Sequence, residues 1–164
     1  MFSRTIAGNI AFSGDDDYDP EKVRQAAEFS QLADDIEAMP DQYRTWVGER
    51  GVTLSGGQKQ RLAIARAYYQ DAQILVLDDS LSAVDTNTEK DILNQLEKVE
   101  AGLIVVSQRV STVQRSNQIL VLEDGVISQR GSHAELLQDK DGFYARLYQR
   151  QLLESELRED REEA

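Results

Sequence analysis

Cysteine is absent from the 164 residues, which closes off disulfides and thiolate metal sites. Proline occurs only twice, and no internal repeat or low-complexity tract interrupts the chain. Basic residues are in deficit. Eighteen Lys and Arg face 30 Asp and Glu, for a net charge of -12. A surface of that sign repels the phosphates of duplex DNA, which argues against general nucleic-acid binding. No apolar run approaches the roughly 20 residues of a membrane-spanning helix. The opening MFSRTIAGNIAF lacks the continuous apolar core of a secretory signal. The composition therefore leads us to expect a soluble, intracellular chain. What remains is a sequence 40% apolar and 7% aromatic, the size of one domain and able to bury a core.

The pattern along the chain alternates helices with short apolar strands, an α/β organisation. Asp19 followed by Pro20 is a favoured helix start, and the spacing predicts one helix from there through EKVRQAAEFSQLADDIEAM, stopping near Pro40. A second helix is expected over residues 58–69, opening at glycines, with Leu62, Ala65 and Tyr69 on one side. ILVL (74–77) and LIVV (103–106) have the branched, unbroken apolar character of strands buried on both faces of a parallel sheet. Between them TNTEKDILNQLEKVE carries a Thr86/Glu89 capping box, which makes a βαβ unit. QILVLEDGVIS reads as a hairpin turning on Asp124-Gly125. Ser132 and Glu135 form a further capping box, and an acidic helical tail is expected from Leu147 onward.

Two places concentrate chemistry. In Leu54-Ser55-Gly56-Gly57-Gln58 a hydroxyl and two glycines precede a helix, so backbone amides and the positive end of the helix dipole are exposed to an anion. SGG alone is better explained by a glycine-rich turn that merely caps the helix. In ILVLDDS, Asp78 and Asp79 stand at the end of a buried strand, the edge of an α/β sheet where ligands bind. The alternative for either is a loop aspartate capping the next turn.

Together these strings carry a resemblance. LSGGQ (54–58) resembles the signature motif of ATP-binding cassette (ABC) ATPases, and VGERGVTLSGGQKQRLAIARA is similar to their exporter branch in particular. ILVLDDS then corresponds to the Walker B strand, SAVD (Ser82, Ala83, Val84, Asp85) to the D-loop, and VVSQRVSTV to the switch-loop region. MFSRTIAGNIAF is similar to the segment after the Q-loop, and GSHAELL to a common C-terminal stretch. The implied fold is part of a P-loop NTPase of the ABC class, with a helical subdomain over about residues 15–70 and a largely parallel sheet with its helices over 71–150. Residues 151–164 form an acidic tail. A Walker A, G-x-x-x-x-G-K-[ST], is missing from these residues; the nearest string, Gly51 to Gly56, is followed by Gly57 and Gln58 instead of Lys and Ser or Thr. The Q-loop glutamine, the adenine-stacking aromatic and the transmembrane helices are likewise not found, so the resemblance is to the C-terminal part of the domain.

The resemblance implies ATP and Mg²⁺ as cofactors, with Asp78 associated with the metal. It also implies that Leu54, Ser55, Gly56, Gly57 and Gln58 contact the ATP of a second ABC nucleotide-binding domain. Two positions depart from it. Asp79 stands where hydrolytic members carry the glutamate base, and losing one methylene shortens its reach by roughly 1.5 Å. Gln108 stands at the switch histidine, and an amide cannot carry the charge or proton of an imidazole. Base and switch altered together imply a degenerate site of the kind found in heterodimeric exporters, where the intact signature serves the partner's site. The expected setting is the cytoplasmic side of a membrane, attached to a transmembrane domain. An ABC ATPase of DNA repair or chromosome maintenance is disfavoured because heptad coiled coils are missing; a non-catalytic orphan fragment is the other alternative.

Other residues divide between readings. Asp85 is a D-loop residue meeting the opposing subunit, a helix cap, or both. Trp46 is a partner anchor or a packed aromatic. Arg61 and Arg66 are expected in intradomain ion pairs, and His133 at the surface.

Overall fold

The computed structural model describes residues 2–12, 17–48 and 51–162, with side chains described up to residue 157. Two compact units, residues 1–106 and 107–164, make up the chain.

The first unit begins with β1 (Arg4–Thr5) and α1 (Ile6–Ala11), a helix whose N-terminus is capped by the Thr5 hydroxyl accepting from Gly8 N. α2 (Pro20–Phe29) starts as the sequence predicts. The Asp19 carboxylate accepts from Glu21 N and Lys22 N, and Pro20 occupies the first turn, where it has no intrahelical bond to lose. The single long helix expected from here is instead two, α2 and α3 (Ala33–Glu37). The break falls at Gln31, which is left-handed at φ 57°, while Leu32 N bonds Ala27 O and the Ser30 hydroxyl bonds Ala27 O. A short 3-10 turn at Gln42–Arg44 leads into β2 (Trp46–Val47), which pairs antiparallel with β1.

α4 (Gly56–Tyr69) is the central element of this unit. Its Leu62 and Ala65 are buried with Ile6, Ile10, Val23, Leu32 and Ile36 in one cluster, and Tyr69 packs against the edge of that cluster. Its Ile64 is buried with Leu75, Leu77, Ile92 and Leu96 in a second. One helix thus fixes the helical layer and the βαβ layer to each other. Truncating a fully buried leucine such as Leu62 costs about 2–5 kcal/mol.

β3 (Ile74–Asp78), α5 (Thr86–Leu96) and β4 (Gly102–Val106) form the expected βαβ unit, with β3 and β4 parallel and in register from Ile74–Gly102 to Asp78–Val106. The cap of α5 is Asp85, whose carboxylate accepts from Asn87 N and Thr88 N, so Thr86 is the first helical residue and not the capping hydroxyl. The two-faced burial expected for these strands is not found. Leu75 and Leu77 are buried, but Ile74 and Val76 are 60% and 59% exposed and Ile104 is 53% exposed, because among the described residues this sheet has only two strands and α5 packs on one face.

The second unit contains α6 (Val110–Val113), the hairpin of β5 (Ile119–Glu123) and β6 (Val126–Gly131), α7 (His133–Leu136) and α8 (Phe143–Glu162). The hairpin turns on Asp124 and Gly125, both at positive φ, as a type I′ turn requires. Ser132 and Glu135 form the expected capping box at the start of α7. α8 begins four residues earlier than expected, at Phe143. Val110, Ile119, Val121, Leu136 and Tyr144 make its core, and His133 Nδ1 lies 2.8 Å from the Tyr144 hydroxyl. Among the described strands β3–β4 pair in parallel and β1–β2 and β5–β6 antiparallel, with one further isolated parallel bridge between Val47 and Val52. No described helix is long and apolar enough to cross a membrane.

Candidate nucleotide site and signature turn

The signature residues form the start of α4. Leu54 is buried in the core, so the motif presents its backbone there and not its side chain. Ser55 is the N-cap: its hydroxyl accepts from Gln58 N at 3.2 Å, while Gln58 Oε1 accepts from Ser55 N at 2.9 Å. That bond leaves the hydroxyl proton of Ser55 unused, and the amides of Gly56 and Gly57, in the first turn, have no carbonyl to bond within the helix. Gln58 also donates to Asp35 Oδ1 at 2.8 Å, and Arg61 donates to Asp35 Oδ2 at 2.7 Å and to the carbonyl of Gln31. Asp35 on α3 thereby holds two residues of the signature helix. Arg61 is in the expected ion pair. Arg66 is engaged differently, donating to Asn9 O at 2.7 Å and Asn9 Oδ1 at 3.0 Å, with Phe2 and Phe12 on its flanks.

An open cleft of about 360 Å³ is lined by Ser55, Gly56, Gly57 and Arg61 from the signature turn and by Ala83, Val84 and Asp85 from the loop joining β3 to α5. Close approach of the two segments depends on the glycines. A Cβ on Gly57 would lie 2.8 Å from Ala83 O, whereas one on Gly56 would meet Ala83 Cβ at 3.4 Å. A phosphate fits the donor set offered here: first-turn amides, a serine hydroxyl and the positive end of a helix dipole.

Asp78 ends β3 and is exposed. Asp79 follows in a left-handed conformation at φ 48°, a strained geometry for a residue with a Cβ that costs about 1–3 kcal/mol and clusters at functional sites. Its amide donates to Val106 O at 2.9 Å. Its carbonyl accepts from the Ser82 hydroxyl at 3.0 Å and from Gln60 Nε2 at 3.1 Å. Ser82, Ala83 and Val84 complete the loop, and Asp85 lines the cleft and is the cap of α5. Hydrogen bonds from Thr88 and Asn87 hold the Asp85 carboxyl below the usual carboxylate range.

Gln108 belongs to the second unit. Its side chain is exposed, and its carbonyl accepts from Gln151 Nε2 at 2.7 Å while Gln151 Oε1 accepts from Val110 N. Trp46 is 43% exposed and donates to the Ser3 hydroxyl at 3.4 Å. The sequence reading did not find Gln60, Asp35 or Asn9. The spacing does hold one signal: Gln60 lies four and three residues after Gly56 and Gly57, on the same helix face.

Helical layer, signature turn and βαβ unit define the class of protein as a partial ATPase domain of the ABC type. Residues 3–82 match the ABC transporter family. The lipid A-core flippase of Chromohalobacter salexigens is 49% identical over 158 residues, covering 95% of this chain and 27% of that protein. That of Vibrio vulnificus strain YJ016 is 44% identical over 150 residues, covering 90% of the chain and 26% of that protein. A bacterial Atm1-family ABC exporter solved with ATP bound superposes with a TM-score of 0.84 at 43% identity, over 92% of this chain and 27% of that one. The chain belongs to the ABC transporter family, and it spans about a quarter of the length of these relatives.

Proposed function

We propose that this chain is the C-terminal part of the ATP-binding domain of an ABC exporter, which couples ATP binding and hydrolysis to transport across a membrane. The carrying observation is the cleft in which the signature turn and the D-loop lie side by side, with the first-turn amides of α4 at its wall. On this reading the cleft receives the γ-phosphate of ATP bound to a second nucleotide-binding domain. Ser55 donates through its hydroxyl, Gly56 and Gly57 through their amides, and these donors stabilise charge as the phosphoryl group passes to water. Leu54 and Gln58 set the shape of the turn from within. Asp78 would hold Mg²⁺, through water, at this chain's own site, where the ion neutralises phosphate charge.

By resemblance to the family Asp79 stands at the position of the base and Gln108 at that of the switch residue, both weaker than the glutamate and histidine of hydrolytic members. The partner domain is therefore an unlike one with a competent base, and the pair sits on the cytoplasmic side of the membrane against a transmembrane domain. Nucleic acid has no part in it. The test is ATP hydrolysis by the full-length complex carrying Asp79→Glu with Gln108→His. A gain of at least about tenfold at this subunit's site is expected, since a well-placed general base contributes 10²–10⁴-fold. No gain would count against degeneracy as the cause.

A further inference from the structure

Gln60 joins two parts of the first unit that the sequence treats as separate motifs. It lies on α4, one turn past the signature glycines, half-buried, with its amide turned to the β3–α5 loop. Gln60 Nε2 donates to Asp79 O at 3.1 Å and to the Ser82 hydroxyl at 2.9 Å, and Gln60 Oε1 accepts from Ala83 N at 2.8 Å. Both ends of one planar amide are thus spent on the loop. The Asp79 carbonyl it grips belongs to the strained residue of the carboxylate pair, and the Ala83 it grips is the residue that faces Gly56 and Gly57.

We propose that Gln60 is a positioning residue. It locks the left-handed backbone of Asp79, and with it the direction of the Asp79 carboxylate, to the same helix whose N-terminus forms the signature turn. The proposal rests on the reading that this loop and this turn take part in ATP hydrolysis. Three substitutes fail to give both a donor for Asp79 O and an acceptor for Ala83 N: asparagine is one methylene short, glutamate has no proton for the carbonyl, and alanine offers neither group.

The consequence is coupling between two nucleotide sites. The loop carries this chain's own base, while the turn faces the nucleotide of the opposing domain. A shift at one is transmitted through a single side chain to the other, without the long path that coupling across a domain ordinarily needs.

The test uses the full-length transporter with Gln60→Ala and Gln60→Glu, followed by hydrogen exchange and by steady-state hydrolysis. Amide exchange over residues 79–84 is expected to accelerate at least tenfold in Gln60→Ala, with α2 and the middle of α5 unchanged. The kcat of this subunit's own site, measured in a transporter whose partner domain has its catalytic base substituted, is expected to fall roughly 10- to 100-fold, because small misplacements of a reacting group have effects of that size. The KM for ATP should stay within about twofold. Gln60→Glu should also lose kcat, since its carboxylate repels the Asp79 carbonyl. Unchanged exchange in Gln60→Ala overturns the clamp, whether or not the transporter hydrolyses ATP. Faster exchange with wild-type kcat overturns its role in positioning, and faster exchange spread through α2 and α5 shows general destabilisation and overturns it too. A wild-type transporter that hydrolyses no ATP defeats the exporter reading instead, and the exchange arm still decides whether Gln60 holds the loop.

Discussion

Gly56 and Gly57 look interchangeable in the string SGG, yet their neighbours make them opposites. A methyl at Gly57 runs into the backbone carbonyl of Ala83, which cannot step aside without moving the D-loop; a methyl at Gly56 meets only the Ala83 methyl at ordinary contact distance. Alanine is also the better helix former by about 1 kcal/mol. Gly56→Ala should therefore leave the melting temperature of the domain unchanged or raised. Gly57→Ala should lose about 1–3 kcal/mol, the usual range for overpacking, and this is read from chemical denaturation of the two variants in parallel. A Gly57→Ala protein as stable as wild type would mean that the two segments are not held as closely as described. The same scale shows what a sequence hides. Asp79 was legible as a carboxylate one methylene short, but its left-handed backbone was not, because that conformation is imposed by Val106, Ser82 and Gln60 from three separate places.

Among the elements, α5 shows how a cap and a binding loop share one residue. The Asp85 carboxyl is held below its usual value of 3.8, first by the Thr88 amide and hydroxyl and then by Asn87. A folded value lowered in this way stabilises α5 above the unfolded value, and the contribution is lost as the pH falls through the lower folded one. Exchange protection of the first turn of α5 should then be level from pH 7 to about 5 and decline below 4. Asp85→Asn keeps a capping oxygen but no charge, so its protection should be level across the whole range; a decline in the variant as steep as in wild type would assign the effect to another group. The elements themselves were mostly legible. Apolar patterning, turn residues and the Ser132 capping box gave α4, the βαβ unit, the hairpin and α7 because each is specified locally, although the cap of α5 is Asp85 and not the Thr86 expected. The division of the long helix into α2 and α3 was not, since nothing in FSQLAD demands it: the left-handed Gln31 is stabilised by Leu32 turning back to Ala27 and by Arg61, thirty residues away in sequence.

For the whole chain, the unsatisfied feature is the face of the parallel pair that carries Ile74, Val76, Ile104 and Val106, all half exposed or more. Contiguous apolar surface of this kind marks an interaction site or an association liability. The 164-residue chain by itself should therefore self-associate at micromolar concentration, as read by light scattering behind size-exclusion chromatography. Val76→Lys with Ile104→Lys should shift it toward monomer, and a wild-type chain that is already monomeric would contradict this. Parallel pairing has a further effect, one of time. β3 obtains its partner only when Gly102 to Val106 have been made, since the crossover through α5 comes between them. At roughly 5–20 residues per second, β3 spends on the order of seconds on the ribosome without a strand beside it. During that interval the edge of β3 that will face β4 is open to a wrong strand, and the emergence of Val106 closes it.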